Sequence, residues 1–254
     1  MPIQAKLVNP LFLSPKRTGR QAGPFLELAH RIVCASNLRQ MGVAHVLYAT
    51  DNDGDLLVTC SDSGGVRIPF GIRIGTHPDG EISLSAMRPY LPGLEVAPSV
   101  PGASWSDQTI DTSSVWFCPS ADYSQSAWES NWNNYSRLPL QYSYYARVDL
   151  WETEATYPEL LTGNELDGER LLMNDRLWRA HSNDRGWAYN HSPSGGIPLH
   201  SGRIGPPPIS GVNELYGDGH VRWKGSEDFD PVAMENRSTS VPYVRYAASA
   251  ATFY

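Results

Sequence analysis

The sequence predicts an α+β fold, with one long N-terminal helix packed on a small antiparallel sheet with large loops. Residues 23–52 carry apolar side chains at the three- and four-residue spacing of a helix. The segments after them are short, rich in β-prone residues and bounded by Asp, Ser, Gly and Pro. A helix with one apolar stripe buries that stripe against another element, here the sheet. We therefore divide the chain into a basic N-terminal arm over 1–22, a long helix over 23–52 and a β-rich globular domain over 53–254.

The composition excludes several classes of protein. A chain of 254 residues is long enough to bury a sizeable core. Its 11% aromatic and 19% charged residues argue against a long coiled coil and against disorder, because aromatic rings need burial or a partner. No apolar run approaches the roughly 20 residues of a membrane-spanning helix, so we expect no membrane span in this chain. The first 22 residues show no signal peptide.

The net charge of −7 is unevenly distributed along the chain. Residues 1–40 hold six Lys and Arg against one Glu, which leaves +5 there and −12 on the rest. A basic arm on an acidic body is typical of docking to another acidic surface, such as a second copy of the same body; a solvated terminus is the alternative. We expect no nucleic acid partner, because the body repels phosphate and no basic stripe interleaves with aromatic residues.

The long helix has recognisable start and stop signals. It begins at Gly23-Pro24, because Pro is favoured at the first helical position. It should end near Thr50, since Asp51–Gly54 has strong turn chemistry. The apolar stripe expected to pack on the sheet comprises Phe25, Leu28, Ile32, Ala35, Leu38, Met41, His45 and Tyr48.

The β-rich domain is predicted to contain short strands separated by long loops. The predicted strands are 56–60, 66–74, 115–118, 141–148, 170–174, 212–216, 220–223 and 241–246, and 83–91 is a short helix. Gly217-Asp218-Gly219 lies between two of them and is typical of a tight hairpin turn. The glycines supply the positive φ that such a turn needs, and Asp218 caps its backbone. We interpret Gly217, Asp218, Gly219 and His220 as a structural turn; an acid–base pair of Asp218 and His220 is the functional alternative.

Motifs spread over residues 34–223 resemble bacterial type IV pilin-like (pseudopilin-like) proteins of the family with a C-terminal signature of His, nine residues, then Asp-Gly. The specific ones are Cys34–Gly42 (CASNLRQMG), continued by Tyr48-Ala49 and Asp51–Gly54, and Asn213–Trp223 (NELYGDGHVRW). Weaker ones are Arg88–Leu91 (RPYL) and Phe117–Ser120 (FCPS). The resemblance implies a pilin-like fold and a non-enzymatic structural subunit of an extracellular filament, pseudopilus or surface assembly. It also implies self-assembly with copies of this chain or related subunits, and an extracytoplasmic location.

The chain departs from the family pattern at two places. The signature spacing places the His at position 208, which is Pro208 here, and the nearest upstream histidines are His200 and His191 in a segment that looks lengthened. Family members also begin with a cleavage site and an apolar anchor helix. Gly23–Glu27 resembles the Gly-Phe-x-x-x-Glu cleavage site, but the usual apolar segment does not follow it. We therefore expect either that this chain is a remodelled relative of the family or that its start does not represent the native precursor.

Two patterns are candidates for metal binding. Asp51, Asp53, Asp55 and Asp62 match ligand positions 1, 3, 5 and 12 of a calcium loop, although its Gly falls at position 4 instead of 6. A helix-terminating Asx turn is the alternative. His181, His191, His200 and His220 with Asp218 are a second candidate, for zinc or another divalent ion; loop histidines bonded to the backbone are the alternative. We expect no cofactor, with calcium at the Asp51 loop as the exception to test.

The sequence holds no enzyme signature. It lacks a nucleophile elbow, HExxH, a P-loop and GxGxxG, so we expect a protein that is not an enzyme. A metal-dependent enzyme that uses the histidine-rich loop is the least favoured alternative.

Residues 105–151 are rich in aromatic side chains, with eleven among Ser and Asn. Exposed Trp and Tyr rings suit sugar or protein surfaces. A second hypothesis is therefore a surface carbohydrate- or protein-binding module with polysaccharide as a partner, for which the candidate residues are Trp105, Trp128, Trp132 and Tyr135. A satellite core under the loops is the alternative.

The three cysteines, Cys34, Cys60 and Cys118, form no CxxC and no metal-ligand spacing. Cys34 lies in the helix and Cys118 in a predicted strand that covers it. A Cys34–Cys118 or a Cys60–Cys118 disulfide would fit an extracytoplasmic protein, and three buried thiols are the alternative.

Overall fold

A computed structural model of the chain shows an α+β fold, one N-terminal helix packed on a four-stranded antiparallel sheet. The residues it describes are 24–57, 60–61, 67–68, 71–73, 84–91, 94–95, 109–110, 115–121, 137–139, 142–144, 166, 168, 170–180, 186–193, 209–229, 244–246 and 251–253. The predicted fold class is confirmed.

Helix α1 spans Pro24–Asp51, close to the predicted 23–52. It ends where Asp53 and Gly54 adopt φ of 56° and 87°, because left-handed residues cannot continue a right-handed helix. The Gly54 N–H donates to the Ala49 carbonyl at 2.8 Å, and the Asn52 side chain donates to the Tyr48 carbonyl at 2.7 Å. These bonds satisfy carbonyls that the end of the helix leaves open.

The buried face of α1 differs from the predicted stripe. Leu38 and Met41 are buried as expected, but Phe25, Leu28 and Ile32 lie on the exposed face. The predicted stripe advances mostly by three residues, and each such step turns about 60° backwards on a helix of 3.6 residues per turn. The predicted stripe therefore runs from the exposed face of the helix to the buried face. The side chains that α1 buries are Glu27, Cys34, Asn37, Leu38, Met41, Ala44, His45 and Ala49.

Fourteen short strands are present in the described residues. In chain order they are β1 (Cys60–Ser61), β2 (Arg67–Ile68), β3 (Gly71–Arg73), β4 (Leu94–Glu95), β5 (Thr109–Ile110), β6 (Arg137–Pro139), β7 (Tyr142–Tyr144), β8 (Leu171–Asp175), β9 (Leu177–Ala180), β10 (Gly186–Tyr189), β11 (Gly211–Tyr216), β12 (Val221–Gly225), β13 (Val244–Tyr246) and β14 (Ala251–Phe253). Leu84–Met87 and Ser226–Asp228 are 3₁₀ helices.

The sheet under α1 has the order β12-β11-β8-β7, and all its neighbours are antiparallel. Its strand β11 is buried along its whole length and packs against α1. A Cβ added at Gly42 would lie only 3.0 Å from Leu215 Cδ1, so the absence of a side chain there lets the helix approach the strand closely. Leu38, Met41 and Leu215 join Met173 in the main core.

A second four-stranded antiparallel sheet has the order β10-β9-β14-β13. Strand β9 begins only two residues after β8 ends, so the chain passes directly from one sheet to the other. A second core includes Leu177, Trp187 and Tyr189, together with Val212 of β11. Three two-stranded pairs, β1-β2, β3-β6 and β4-β5, complete the strands of the described residues.

Residues 115–118, predicted as a strand, form a turn instead. Trp116, Phe117 and Cys118 are buried as expected. Pro119 has no N–H to donate to a neighbouring strand, and the Ala121 N–H closes a turn onto the Cys118 carbonyl at 3.0 Å. The strand prediction was therefore wrong here, although the burial was not.

The hairpin of β11 and β12 turns at Gly217–Gly219. Gly219 has φ of 87°, the conformation that favours glycine. The His220 N–H donates to Asp218 Oδ1 at 3.0 Å, and the Tyr216 N–H donates to the His220 carbonyl at 3.0 Å. These bonds hold the turn by local contacts.

His45 is a fully buried histidine in the main core. Its ring stacks on Tyr144 at 4.8 Å, and its Nε2 lies 3.3 Å from Met173 Sδ. Its Nδ1 has no hydrogen-bond partner within the described part of the chain. Burial lowers the pKa of His45 to about 3, so the folded chain keeps this ring neutral.

We expect the stability of the protein to fall as the pH drops from about 6.5 towards 3, partly because of His45. In that window the unfolded chain takes up a proton that the folded chain refuses. A His45→Gln variant lacks this proton uptake on unfolding. Its free energy of unfolding should therefore fall less steeply with decreasing pH, and the difference between the two slopes should reach at most about 1.4 kcal/mol per pH unit. Urea denaturation of both proteins from pH 6.5 to 4.5 measures the difference. Parallel curves would contradict the assignment.

Candidate functional site: a buried polar cluster beneath the helix

A cluster of polar side chains lies buried under the first half of α1. It is assembled from four parts of the chain: the helix, the 115–121 turn, the β8–β11 sheet and the segment that follows β10. All of its members are buried, and they are Glu27, Cys34, Cys118, Ser120, Asp175, His191 and Asn213. Polar groups at this depth need partners, and most of them find partners in one another.

His191 is at the centre of the cluster. Its Nδ1 lies 2.7 Å from Glu27 Oε1, and its Nε2 lies 3.0 Å from Asp175 Oδ2. Burial alone would lower the pKa of His191, but the charge of Asp175, the hydrogen bonds to both carboxylates and the charge of Glu27 together outweigh it. The pKa of His191 rises to about 9. At neutral pH the ring is therefore a buried cation between two carboxylates.

The two carboxylates are held by further hydrogen bonds. The Ser120 hydroxyl donates to Glu27 Oε2 at 2.9 Å. The backbone N–H and the side-chain amide of Asn213 both donate to Asp175 Oδ2 at 2.7 Å. Asp175 Oδ1, in contrast, is buried without a hydrogen-bond partner among the described residues. One acceptor in the cluster therefore remains unsatisfied.

Cys34 and Cys118 form a disulfide beside His191. The bond joins α1 to the 115–121 turn across a sequence separation of 84 residues, with the two Cα atoms 5.4 Å apart. Cys118 Sγ lies 3.6 Å from His191 Nε2. The pairing is one of the two alternatives drawn from the sequence, and such a bond fits an extracytoplasmic protein.

Strand register explains how residues so distant in sequence meet. Glu214 of β11 is opposite Asn174 of β8, which places Asn213 beside Asp175. The chain after β10 is fixed at two points: the Asn190 N–H donates to the Arg176 carbonyl at 3.1 Å, and the Ser210 N–H donates to the His191 carbonyl at 2.9 Å. The chain therefore lies next to His191 again at Ser210, just before β11 begins.

Arg31 and Trp223 cover the cluster next to His191. The Arg31 guanidinium lies 3.5 Å from the centre of the Trp223 ring, and His191 meets the same ring edge-on at 5.6 Å. The Asn213 amide also donates to the Arg31 carbonyl at 3.3 Å. Burial lowers the pKa of Arg31, against the opposing charges of Glu27, Glu227 and Asp175. Arg31 thus adds a second positive charge next to the two carboxylates.

The cluster contains a set of metal-ligating atoms. Cys34, Cys118, Asp175 and His191 each offer one such atom, and these atoms all lie within 4.8 Å of one another. All four residues are buried.

The predicted calcium ligands lie elsewhere. Asp51, Asp53 and Asp55 are exposed at the end of α1, and Asp51 accepts a hydrogen bond from the Tyr90 hydroxyl at 2.8 Å. Asp62 lies outside the described residues. The turn at 52–54 agrees with a helix-terminating turn, and calcium binding stays a prediction.

The predicted histidine set is divided between two environments. His191 is in the buried cluster, whereas His220 is exposed, stacks on Tyr216 at 4.5 Å and lies 2.6 Å from Asp218. Hydrogen bonds from His220 lower the pKa of Asp218. His181 and His200 lie outside the described residues.

The aromatic candidates Trp105, Trp128, Trp132 and Tyr135 also lie outside the described residues. Four other rings of that segment, Trp116, Phe117, Tyr142 and Tyr144, are buried in the main core. Tyr144 donates to the Leu57 carbonyl at 2.7 Å. These four rings therefore serve packing, and the binding hypothesis for the other four stays a prediction.

Four members of the cluster were not predicted as site residues: Glu27, Asp175, Ser120 and Asn213. A signal for Glu27 existed: it precedes Cys34 by seven residues, which puts both on one helix face. Asp175 ends strand β8, whose first three residues are apolar, and a buried strand is an unusual place for an acid. Ser120 and Asn213 carry no comparable signal.

None of the protein-family models, curated proteins or solved structures compared with this chain matches it. The helix on a four-stranded antiparallel sheet is loosely pilin-like in architecture. Among the described residues, no helix is both long and apolar enough to cross a membrane.

Replacing Glu27 tests how much the cluster contributes to stability. Glu27→Gln leaves the His191 cation with one carboxylate fewer, and breaking a buried ion pair costs about 3–5 kcal/mol. Ser120→Ala, the matched control, removes only one hydrogen bond to the same carboxylate and should cost less, about 1.5–3 kcal/mol. Urea denaturation of the oxidised protein at pH 7 gives both values. Equal losses in the two variants would contradict a buried ion pair.

Proposed function

We propose that this chain is a non-enzymatic, pilin-like structural subunit that assembles with copies of itself through the outer face of α1. The observation that carries the proposal is the exposure of large apolar side chains along this helix. They are Phe25, Leu26, Leu28, Ile32, Val33, Val43, Val46 and Leu47. Phe25 is 87% exposed, Ile32 63% and Val43 61%.

Five of the eight exposed apolar residues share one face of the helix. At 100° per residue, Phe25, Leu28, Ile32, Val43 and Val46 lie within an arc of about 60°. The opposite side of the helix is buried against its own sheet, so α1 is apolar on both sides. Helices of this kind are normally covered on both sides, and exposed apolar patches rimmed by polar residues mark interaction sites.

The outer face consists of two patches. Residues 25–33 form the first patch and residues 43–47 the second. Between them lie the exposed Ser36, Arg39 and Gln40. A partner would therefore contact the helix at both ends and meet polar groups in the middle, which favours one register over a sliding contact.

A second copy of the chain is the partner that the charges favour. Residues 1–40 carry a net charge of +5, and the remainder carries −12. The basic segment of one copy is thus complementary to the acidic body of another. The Cys34–Cys118 disulfide supports a place outside the cytoplasm, where an extracellular filament, pseudopilus or surface assembly would form.

Sedimentation velocity over a concentration series tests the assembly. We expect the oxidised chain to self-associate, because burial of each large apolar side chain stabilises a contact by about 1.5–3 kcal/mol. Ile32→Glu or Val43→Glu should weaken self-association about tenfold or more. Ser226→Glu adds the same charge outside α1 and should leave it unchanged.

Two outcomes would overturn the proposal. One is a chain that stays monomeric at high concentration and low salt and shows no filaments by electron microscopy. The other is self-association that Ser226→Glu weakens as much as Ile32→Glu does.

A further inference from the structure

We propose that the reduced form of this chain binds one zinc ion through Cys34, Cys118, Asp175 and His191. The disulfide and the metal are then alternative states of one buried site. The assignment is independent of the proposed assembly, because it concerns the inner face of α1 and not the outer one.

The donor atoms are those that zinc prefers. Thiolate sulfur, imidazole nitrogen and carboxylate oxygen are its usual protein ligands, and four of them complete a tetrahedral structural site. Two thiolates also select against calcium and magnesium, which take oxygen ligands. This set is therefore distinct from the calcium loop predicted at Asp51.

The distances fit a tetrahedral ion. Bond lengths of about 2.3 Å to sulfur and about 2.0 Å to nitrogen or oxygen require about 3.6 Å between sulfur and nitrogen and about 3.3 Å between nitrogen and oxygen. Cys118 Sγ lies 3.6 Å from His191 Nε2, and His191 Nε2 lies 3.0 Å from Asp175 Oδ2. All four ligand atoms lie within 4.8 Å of one another. Reduction of the disulfide lets the two sulfur atoms separate to the roughly 3.8 Å that a shared zinc needs.

The surrounding groups are those of a metal site. A metal-bound histidine normally gives its other ring N–H to a carboxylate, which fixes the ring. His191 has that arrangement, since Nε2 lies near Cys118 while Nδ1 lies 2.7 Å from Glu27 Oε1. Glu27 is held in turn by Ser120, at 2.9 Å.

The unpartnered Oδ1 oxygen of Asp175 supports a cation at this site, independently of the distances between the ligand atoms. Asp175 is fully buried, and its Oδ1 has no hydrogen-bond partner among the described residues, although Oδ2 accepts two from Asn213. A buried acceptor without a partner is costly. A zinc ion that this carboxylate binds through both oxygens contacts Oδ1 as well as Oδ2 and removes that cost.

Conversion of the disulfide form into the zinc form requires an external thiol or phosphine reductant. A dithiol reductant gives two electrons and two protons to the Cys34–Cys118 bond, which breaks into two thiols while the reductant becomes a disulfide. Zinc then binds both sulfurs, and the two thiol protons leave to solvent with any proton on His191 Nε2. Reoxidation by a disulfide oxidant takes two electrons from the thiolates, reforms the bond and releases the ion.

Metal analysis of the full chain in both states tests the proposal. The chain is reduced with a phosphine under anaerobic conditions, supplied with zinc chloride, desalted and analysed for zinc. We expect about one zinc per reduced chain and almost none per oxidised chain. Cobalt chloride in place of zinc should give the thiolate charge-transfer band and the intense visible absorption of a tetrahedral site.

Matched variants locate the ligands. Cys34→Ser and His191→Gln should lose the metal, whereas Cys60→Ser and His220→Gln should keep it. Glu27→Gln tests the positioning role and should weaken zinc affinity about 10- to 100-fold without changing the number of sites.

Far-ultraviolet circular dichroism distinguishes loss of the site from loss of the fold. If reduction unfolds the chain, zinc should restore its helical signal, and failure to restore it would overturn the proposal. It would also be overturned by a folded, reduced chain without zinc, by equal zinc in the oxidised chain, or by loss of zinc in Cys60→Ser equal to that in Cys34→Ser.

Discussion

The ion pair between His191 and Glu27 is the interaction on which the rest of the structure depends. It joins the first turn of α1 to a segment 164 residues away, at 2.7 Å and out of water. The second carboxylate, Asp175, fixes the other side of the ring. Because a buried cation is costly without compensation, His191 requires both carboxylates, and their backbone segments must therefore be in place for it to be buried.

The two halves of α1 are therefore held in place by different interactions. The first half is held by polar groups and by the Cys34–Cys118 disulfide, and the second half by apolar packing of Leu38, Met41 and Ala44 on the sheet. Neither support uses the outer face of the helix, where the large apolar residues remain exposed. The inner face can thus hold the helix on the sheet while the outer face is free for a partner. The same inner face supplies Cys34, one of the four ligands of the proposed zinc site.

Much of the fold could be predicted from the sequence, because local rules govern it. The start of the helix at Pro24, the turn after Asp51 and the hairpin at Gly217–Gly219 depend on backbone preferences of a few adjacent residues. The inner face of α1 was harder, because steps of three residues drift around a helix and both sides of this one are apolar. Residues 115–118 were misassigned for a similar reason: their burial is visible in the sequence, but a turn and a strand bury such residues equally well.

The candidate site depends on long-range register, which a single sequence does not contain. Glu27, Asp175, His191 and Asn213 meet only because β8 pairs with β11 and the chain after β10 returns beside them. A double-mutant cycle between Glu27 and His191 measures the strength of their buried ion pair most directly. With Glu27→Gln, His191→Gln and the double variant in the oxidised chain, we expect a coupling energy of about 2–3 kcal/mol in the free energy of unfolding at pH 7. Additive losses would contradict it.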